Sequence, residues 1–224
     1  MLFFDLDGTL IDSSVGVTRC IVYSLERMGH AGLPQAELLG WIGPALRVSY
    51  ATLFDDPADI ARAEALYHER FDREGIREFA VYPGIPEALQ ALHARGERMA
   101  VVTAKNEPQA RRIIESLPFG QLFEDVIGAS ADGHHSHKPE LIAEALRRFG
   151  ISAAECSMTG DRRMDMEGAR HHGMRAVGVL WGFGSAEELR DAGADAWVAH
   201  PHEWLQSLSS ADARPRLLHC IPLC

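Results

Sequence analysis

At 224 residues with 46% hydrophobic side chains, the chain can bury a substantial core, which excludes global disorder, yet it is short for two full domains. A formal net charge of −10 excludes the basic face that a nucleic-acid partner needs. It also repels anions, so any phosphate site has to be locally positive, and only two lysines, Lys105 and Lys138, are available beside the arginines.

In chain order, "FFDLDGTL" (3–10) reads as a short buried strand ending in two acids placed two apart. Residues 13–80 favour helix, in "SVGVTRCIVYSLERMG" (14–29), around "PQAELLGWIG", in "LRVSYATLF" and in "DIARAEALYHERFDREG", with no convincing strand. This block predicts a small all-α cap domain inserted between core segments 1–12 and 81–208, with hinges near Asp12–Ser14 and Ala80–Gly84. From Gly84 the pattern alternates. "IPEALQALHARG" (85–96) is a helix closed by glycine, "RMAVVTAKN" (98–106) an apolar strand, and "PQARRIIESL" (108–117) a helix with proline in its first turn. "FEDVIGAS" precedes the helix "PELIAEALRRFG" (139–150), the strand "CSMTGD" (156–161), the helix "MDMEGARHHG" and the strand "MRAVGVLWG". "SAEELRDAG", "ADAWVAH" and "PHEWLQSL" add a helix, a strand and a last helix, and residues 209–224 read as a C-terminal tail without a clean period. Strands alternating with helices predict βαβ units in a parallel sheet, whose ligands sit beyond the carboxyl ends of the strands.

Cys20, Cys156, Cys220 and Cys224 form no CxxC pair, the pattern of reduced thiols in a cytoplasmic protein. No apolar run reaches the roughly 18–20 residues of a membrane span. The start "MLFFDLDG" lacks the basic and long apolar regions of a signal peptide. The expectation is a cytoplasmic chain without nucleic-acid or membrane partners, a monomer or homodimer.

Asp5 and Asp7 taken alone also fit a turn marked by Gly8. Three further features fall at predicted strand ends or helix starts. Thr103 closes the strand of "VVTAKN", Lys138 opens a helix in "HKPE", and Asp161 and Asp165 stand in "GDRRMD". Two like charges at the end of a buried strand repel and resist ionisation, so something must compensate them. Clustered carboxylates attract a hard divalent cation, and magnesium takes one or two of them together with phosphate oxygens and water. An ionised aspartate can then attack a phosphoryl group, and a second acid two residues on can serve as general acid and base.

In order and strand context, "DLDGTL", "VVTAKN", "HKPE" and "GDRRMDMEGA" resemble the four motifs of the haloacid dehalogenase superfamily, over nearly the whole chain from Asp5 to about Leu208. The resemblance implies a Rossmann-like, doubly wound parallel sheet with the cap inserted. It implies Asp5 as nucleophile, Asp7 as general acid/base, and Lys138 as the group steadying nucleophile and phosphoryl oxygens. Thr103, with Ala104 and Gly8, would bind the phosphoryl group; Asp5, the backbone carbonyl of Asp7, Asp161 and Asp165 would hold Mg2+. Asp165 could instead brace the lysine.

The presence of Asp7 argues against a dehalogenase, which lacks the second acid, and the absence of lysine from 13–80 against a Schiff-base phosphonatase. "GWIGPALRVSY" and "GVLWGFGSAEEL" look like phosphoglycolate phosphatases and related bacterial phosphatases, so the expected substrate is a small phosphorylated metabolite, phosphoglycolate first. A 5′-nucleotidase, a β-phosphoglucomutase-like phosphomutase and a non-catalytic phosphometabolite-binding module are the alternatives. Arg47, after Gly43-Pro44, faces the crevice to meet a remote substrate carboxylate or second phosphate, or else is a solvated helix-start residue. His134, His135 and His137 beside Lys138 read as a solvated loop, with zinc the alternative, and His171-His172 as a helix C-terminus. Trp181, Trp197 and Trp204 read as packing residues; Trp41 reads as packing or as lining the pocket.

Overall fold

Leu2–Phe4 (β1) and Ile11–Asp12 (β2) open the chain, followed by Ala80–Val81 (β3), Met99–Asn106 (β4), Val126–Ala129 (β5), Ser157–Gly160 (β6), Arg175–Val179 (β7) and Ala196–Val198 (β8). The computed structural model describes residues 1–130 and 136–207. Six of the strands form one sheet in the order β5-β4-β1-β6-β7-β8, and every pairing in it is parallel. Period-2 alternation sends Leu2, Phe4, Met99 and Val101 to one core and Phe3, Ala100, Val102 and Ile127 to the other. With both faces covered, the inner strands read as continuous apolar runs, as in "AVV".

Between β2 and β3 lie only helices: Ser14–Arg27 (α1), Gln35–Gly40 (α2), Leu46–Tyr50 (α3) and Pro57–Arg73 (α4), with a 3-10 turn at Gly75–Arg77. The carboxylate of Asp56 caps α4 by accepting the Ala58 N–H at 2.8 Å. Tyr50 is buried within the block against Ser24 and Trp41. The two connections to the core pair with each other as an antiparallel ribbon, Ile11 opposite Val81 and Asp12 opposite Ala80. Two residues per strand are too few for alternation to show, so the sequence reads this ribbon only as hinges.

Among the described residues six helices follow: Ile85–Ala94 (α5), Glu107–Ser116 (α6), Lys138–Phe149 (α7), Arg163–His171 (α8), Ala186–Asp191 (α9) and Trp204–Ser207 (α10). Side chains of α5, α6 and α10 pack with the helical block on one sheet face, and those of α7, α8 and α9 cover the other. The expected order of elements stands, with two corrections. Thr103 does not end its strand: after an irregularity, pairing resumes at Asn106 opposite Ala129. Trp197 is not a packing residue; it lies on the edge strand β8 and is 50% exposed. Cys20 and Cys156 are free and buried. No described helix is long and apolar enough to cross a membrane. His134, His135, Cys220, Cys224 and the tail 209–224 lie outside the described residues.

Trp204 joins the C-terminal helix to the sheet. It is fully buried, 5.0 Å from Phe4 and 5.4 Å from Trp181 between ring centroids, and its Nε1 has no hydrogen-bond partner among the described residues. Trp204→Ala should cost about 3–5 kcal/mol of stability, read as a lower urea midpoint at unchanged slope. Trp204→Phe should lose less than half as much, because a ring remains between Phe4 and Trp181 and an unpaired buried N–H is removed.

Candidate active site

The chain winds from β1 to β4 and β5 on one side, then returns past β1 to β6, β7 and β8 on the other. The reversal opens a crevice beyond the carboxyl ends of β1 and β6, where such sheets bind ligands. Asp5 directly follows β1 and Asp161 directly follows β6. After Asp5 the chain turns tightly, with the Leu6 carbonyl accepting the N–H groups of Leu10 and Ile11 at 3.0 and 3.2 Å. Gly8 holds this turn at φ +82°, and a Cβ there would sit 2.2 Å from Asp161 Oδ2. Both the left-handed backbone and the contact demand glycine. Gly160 is confined in the same way: a Cβ would fall 2.1 Å from the Asp165 carboxyl carbon.

Lys138, at the first turn of α7, places Nζ 3.0 Å from Asp5 Oδ1, 2.7 Å from Asp165 Oδ1 and 3.0 Å from the Val102 carbonyl oxygen. Asp165 Oδ2 also accepts the Arg162 N–H at 3.1 Å, closing the start of α8. Asp161 accepts from the Phe183 N–H at 2.8 Å and from Thr9 Oγ1 at 3.3 Å. Asp5, Asp161 and Asp165 each offer one oxygen, all within 4.8 Å of one another and all buried. Three carboxylates thus face a single ammonium. Burial pushes the Asp5 carboxyl above its ordinary range, with Lys138 opposing and Asp165 and Asp7 adding to the rise. Asp161 is raised well above the usual range, first by burial and then by Asp165 and Asp5. Burial works against the charge on Lys138, but Asp165 and Asp5 outweigh it and raise its pKa. The centre carries an excess of negative charge, and its donors are all hard oxygens. That set suits magnesium, so the residues present fit the ion the motifs imply.

Above Asp5 is a cavity of about 330 Å³ lined by Asp5, Asp7, Thr103 and Ala104 from the core and by Trp41, Arg47, Glu64 and His68 from the helical block. Lys138, Asp161 and Asp165 are buried and are not part of its lining. The Asp7 carboxylate points elsewhere than the acidic cluster: its Oδ2 pairs with Lys105 Nζ at 2.9 Å, and its buried Oδ1 has no hydrogen-bond partner among the described residues. Thr103 Oγ1 accepts the Lys105 N–H at 3.2 Å. Gly8 is packed on Asp161 and does not line the cavity. Arg47 does line it, but it is already paired, Nη2 to Glu64 Oε2 at 2.9 Å. His137 is exposed at the N-cap of α7, and among the described residues the one metal-competent cluster is the acidic one.

Sequence reasoning left three residues without a role. Lys105 holds Asp7 and lies 4.7 Å from the centre of the Phe71 ring of α4; its rarity and its place two residues after Thr103 were the available signal. Glu64 looked like one acid on a polar helix face. Arg162, within "GDRRMD", reaches Glu188 at 3.0 Å and donates to the Ile42 carbonyl, tying the acidic loop to the loop that roofs the cavity.

Removing Lys138 would leave three buried carboxylates without a cation. Lys138→Met should cost about 3–5 kcal/mol of stability, the usual consequence of orphaning buried charge, as read by denaturant titration at neutral pH. A loss below about 1 kcal/mol would show that the ammonium does not carry this centre.

The match to the family model described as haloacid dehalogenase-like hydrolase runs from residue 2 to residue 179. A 5′-nucleotidase of Pseudomonas aeruginosa is 40% identical over 84% of this chain and 86% of its own length. A phosphoglycolate phosphatase of Aliivibrio fischeri is 26% identical over 87% and 90%. The crystal structure of a predicted phosphatase from Clostridium acetobutylicum superposes with a TM-score of 0.89 at 33% identity, over 92% of this chain and 96% of that one. The chain belongs to the haloacid dehalogenase-like hydrolases, and within them it is a phosphomonoester hydrolase.

Proposed function

We propose that the protein is a magnesium-dependent phosphatase of small phosphomonoesters that works through an aspartyl-phosphate on Asp5. Its preferred leaving group is uncharged, polar and of nucleoside size, which places nucleoside 5′-monophosphates ahead of phosphoglycolate. The reading rests above all on Asp5 lining the cavity while Lys138 grips its Oδ1 from behind. In this scheme residues 1–12 and 81–208 form the catalytic core and 13–80 the cap. Asp5, Asp161 and Asp165, with the Asp7 backbone carbonyl, would hold the ion. When bound, magnesium supplies positive charge that neutralises the cluster and the phosphoryl oxygens.

Lys138 keeps Asp5 ionised against burial and aims its free oxygen at phosphorus. A bond forms from Asp5 to phosphorus as the bond from phosphorus to the leaving oxygen breaks. Asp7 supplies the proton that the leaving oxygen takes up: entering this step as the acid, it would carry that proton on its unpartnered Oδ1, with Oδ2 still accepting from Lys105. Thr103 and the backbone at Ala104 receive phosphoryl oxygens, and Gly8 gives the turn its close approach to Asp161. In the second half, water attacks phosphorus, Asp7 takes the proton, and the bond to Asp5 breaks to release phosphate.

The order of substrates follows from the lining. Arg47, assigned by its position to a remote anion, is neutralised by Glu64. The volume falls within the about 300–1,000 Å³ of pockets that enclose drug-sized ligands, and a two-carbon acid would fill little of it. The relative at 40% identity is named a 5′-nucleotidase, which supports the same order. The unpaired buried thiols Cys20 and Cys156 suit the cytoplasm.

Two experiments test this reading. Asp5→Asn should fold with near-native stability yet lose more than about 99% of turnover, at least about 2.7 kcal/mol of barrier; retention of a tenth of the wild-type rate would exclude Asp5 as nucleophile. A panel of nucleoside monophosphates, phosphoglycolate and phenyl phosphate, assayed with magnesium and with chelator, should show phosphate release only with the metal and the highest kcat/KM on a nucleotide. Full activity in chelator, or phosphoglycolate in first place, would overturn the metal or the substrate assignment respectively.

A further inference from the structure

We infer that Glu64 is a specificity-determining residue, which makes the cavity reject phosphoesters whose leaving group carries a second negative charge. The inference rests on the phosphatase reading above and concerns the part of the cavity remote from phosphorus. Arg47 on α3 and Glu64 on α4 face each other across that part, 2.9 Å apart, and both line it together with Asp5 and Asp7.

The pair could be no more than a strut between two helices. An ion pair whose arginine side chain is 46% exposed is worth about 0–1 kcal/mol in that role. Its effect on the charge of the wall is larger. Among the described lining residues the only lysine or arginine side chains are Arg47 and Lys105, and each is matched by a carboxylate, Glu64 and Asp7. His68, also in the lining, is shifted toward its neutral form by burial, with Asp72 and Glu64 opposing. The other polar side chains of the described lining are uncharged: the hydroxyls of Tyr67, Thr103, Ser130 and Ser136 and the amides of Asn106 and Gln109, the last engaged by His68 Nδ1 at 3.1 Å and Asp72 Oδ1 at 3.3 Å.

Among the described lining residues, a carboxylate or second phosphate on the leaving group finds no lysine or arginine without a carboxylate beside it, and would have to approach Glu64 to share Arg47. Like charges brought together at an interface are a common device for refusing a ligand of otherwise suitable shape. An uncharged hydroxylated or heterocyclic group meets amides, hydroxyls, an imidazole and the Trp41 ring without that penalty. Without the Glu64 charge, the guanidinium fork would stand free at a distance from the reacting carboxylates and present the geometry that binds a carboxylate through two N–H groups. Glu64 therefore turns an anion-binding arginine into a neutral wall.

The test is a double-mutant comparison on Glu64→Gln, Glu64→Ala, Arg47→Ala and the double variant with Ala at both positions. The readout is the ratio of kcat/KM on phosphoglycolate to that on phenyl phosphate, which lacks the second anion. Either Glu64 variant should raise this ratio by about 10-fold, or about 1.4 kcal/mol, mainly through KM, and the double variant should show no rise. An unchanged ratio in a folded Glu64 variant, or a rise that persists without Arg47, overturns the inference. Calorimetric binding of the same two esters in an Asp5→Asn background reads the charge preference without turnover. A contrast there, when the protein with Asp5 intact releases no phosphate from any ester, would sustain the role of Glu64 and sink the phosphatase mechanism instead.

Discussion

The buried ammonium of Lys138, set between Asp5 and Asp165 at 3.0 and 2.7 Å, is the contact on which the rest of the site depends. One positive charge serves three carboxylates in a place from which water is largely excluded. As the proposed nucleophile Asp5 has to be ionised, and burial pushes its carboxyl the other way while Lys138 opposes that push. Lys138 comes from α7 on one sheet face, Asp165 from α8 beside it, and Asp5 from the end of a central strand. The parallel sheet and its two layers of helices bring these three groups together and keep them from relaxing apart.

The charge imbalance that remains suits a cation. Asp161 is buried, held by the Phe183 N–H and Thr9 hydroxyl, with Lys138 committed to its two neighbours. Leaving that excess uncompensated would be costly, and a hard divalent ion shared with a phosphate would balance it. The same cluster explains the glycines pressed against it, since at Gly8, Gly160 and Gly182 the aspartate side chains occupy the space of a side chain.

The helical block roofs the crevice through polar contacts. Arg162 reaches from the acidic loop to the Ile42 carbonyl, and Gln109 and Arg112 of α6 meet Asp72 of α4 at 3.3 and 2.7 Å. Such contacts exchange with water at modest cost, which suits a roof that has to admit and release a ligand. The apolar side chains of the block, Tyr50, Tyr67 and Phe71 among them, are buried and keep the block itself rigid.

The chemistry of the site was legible in the sequence because it sits in short local strings. Asp5, Lys138 and Asp161 each mark the end of a strand or the start of a helix, with Asp7 and Asp165 a few residues on and Thr103 inside β4, and the alternation of strands and helices places them at one edge of a parallel sheet. The α/β core and the inserted helices were legible for the same reason, since both depend on runs of several residues. The ribbon of β2 and β3 was not, because two residues carry no period. Neither were the partners of the charged side chains. That Arg47 meets Glu64, seventeen residues on in the next helix, and that Lys105 closes on Asp7 rather than on a substrate, depends on where two distant segments cross. Sequence determined which chemical groups meet at this edge of the sheet. Only the packing of one helix against another decided how much charge the cavity offers to the rest of the substrate, because a neutralised arginine and a free one are written with the same letter.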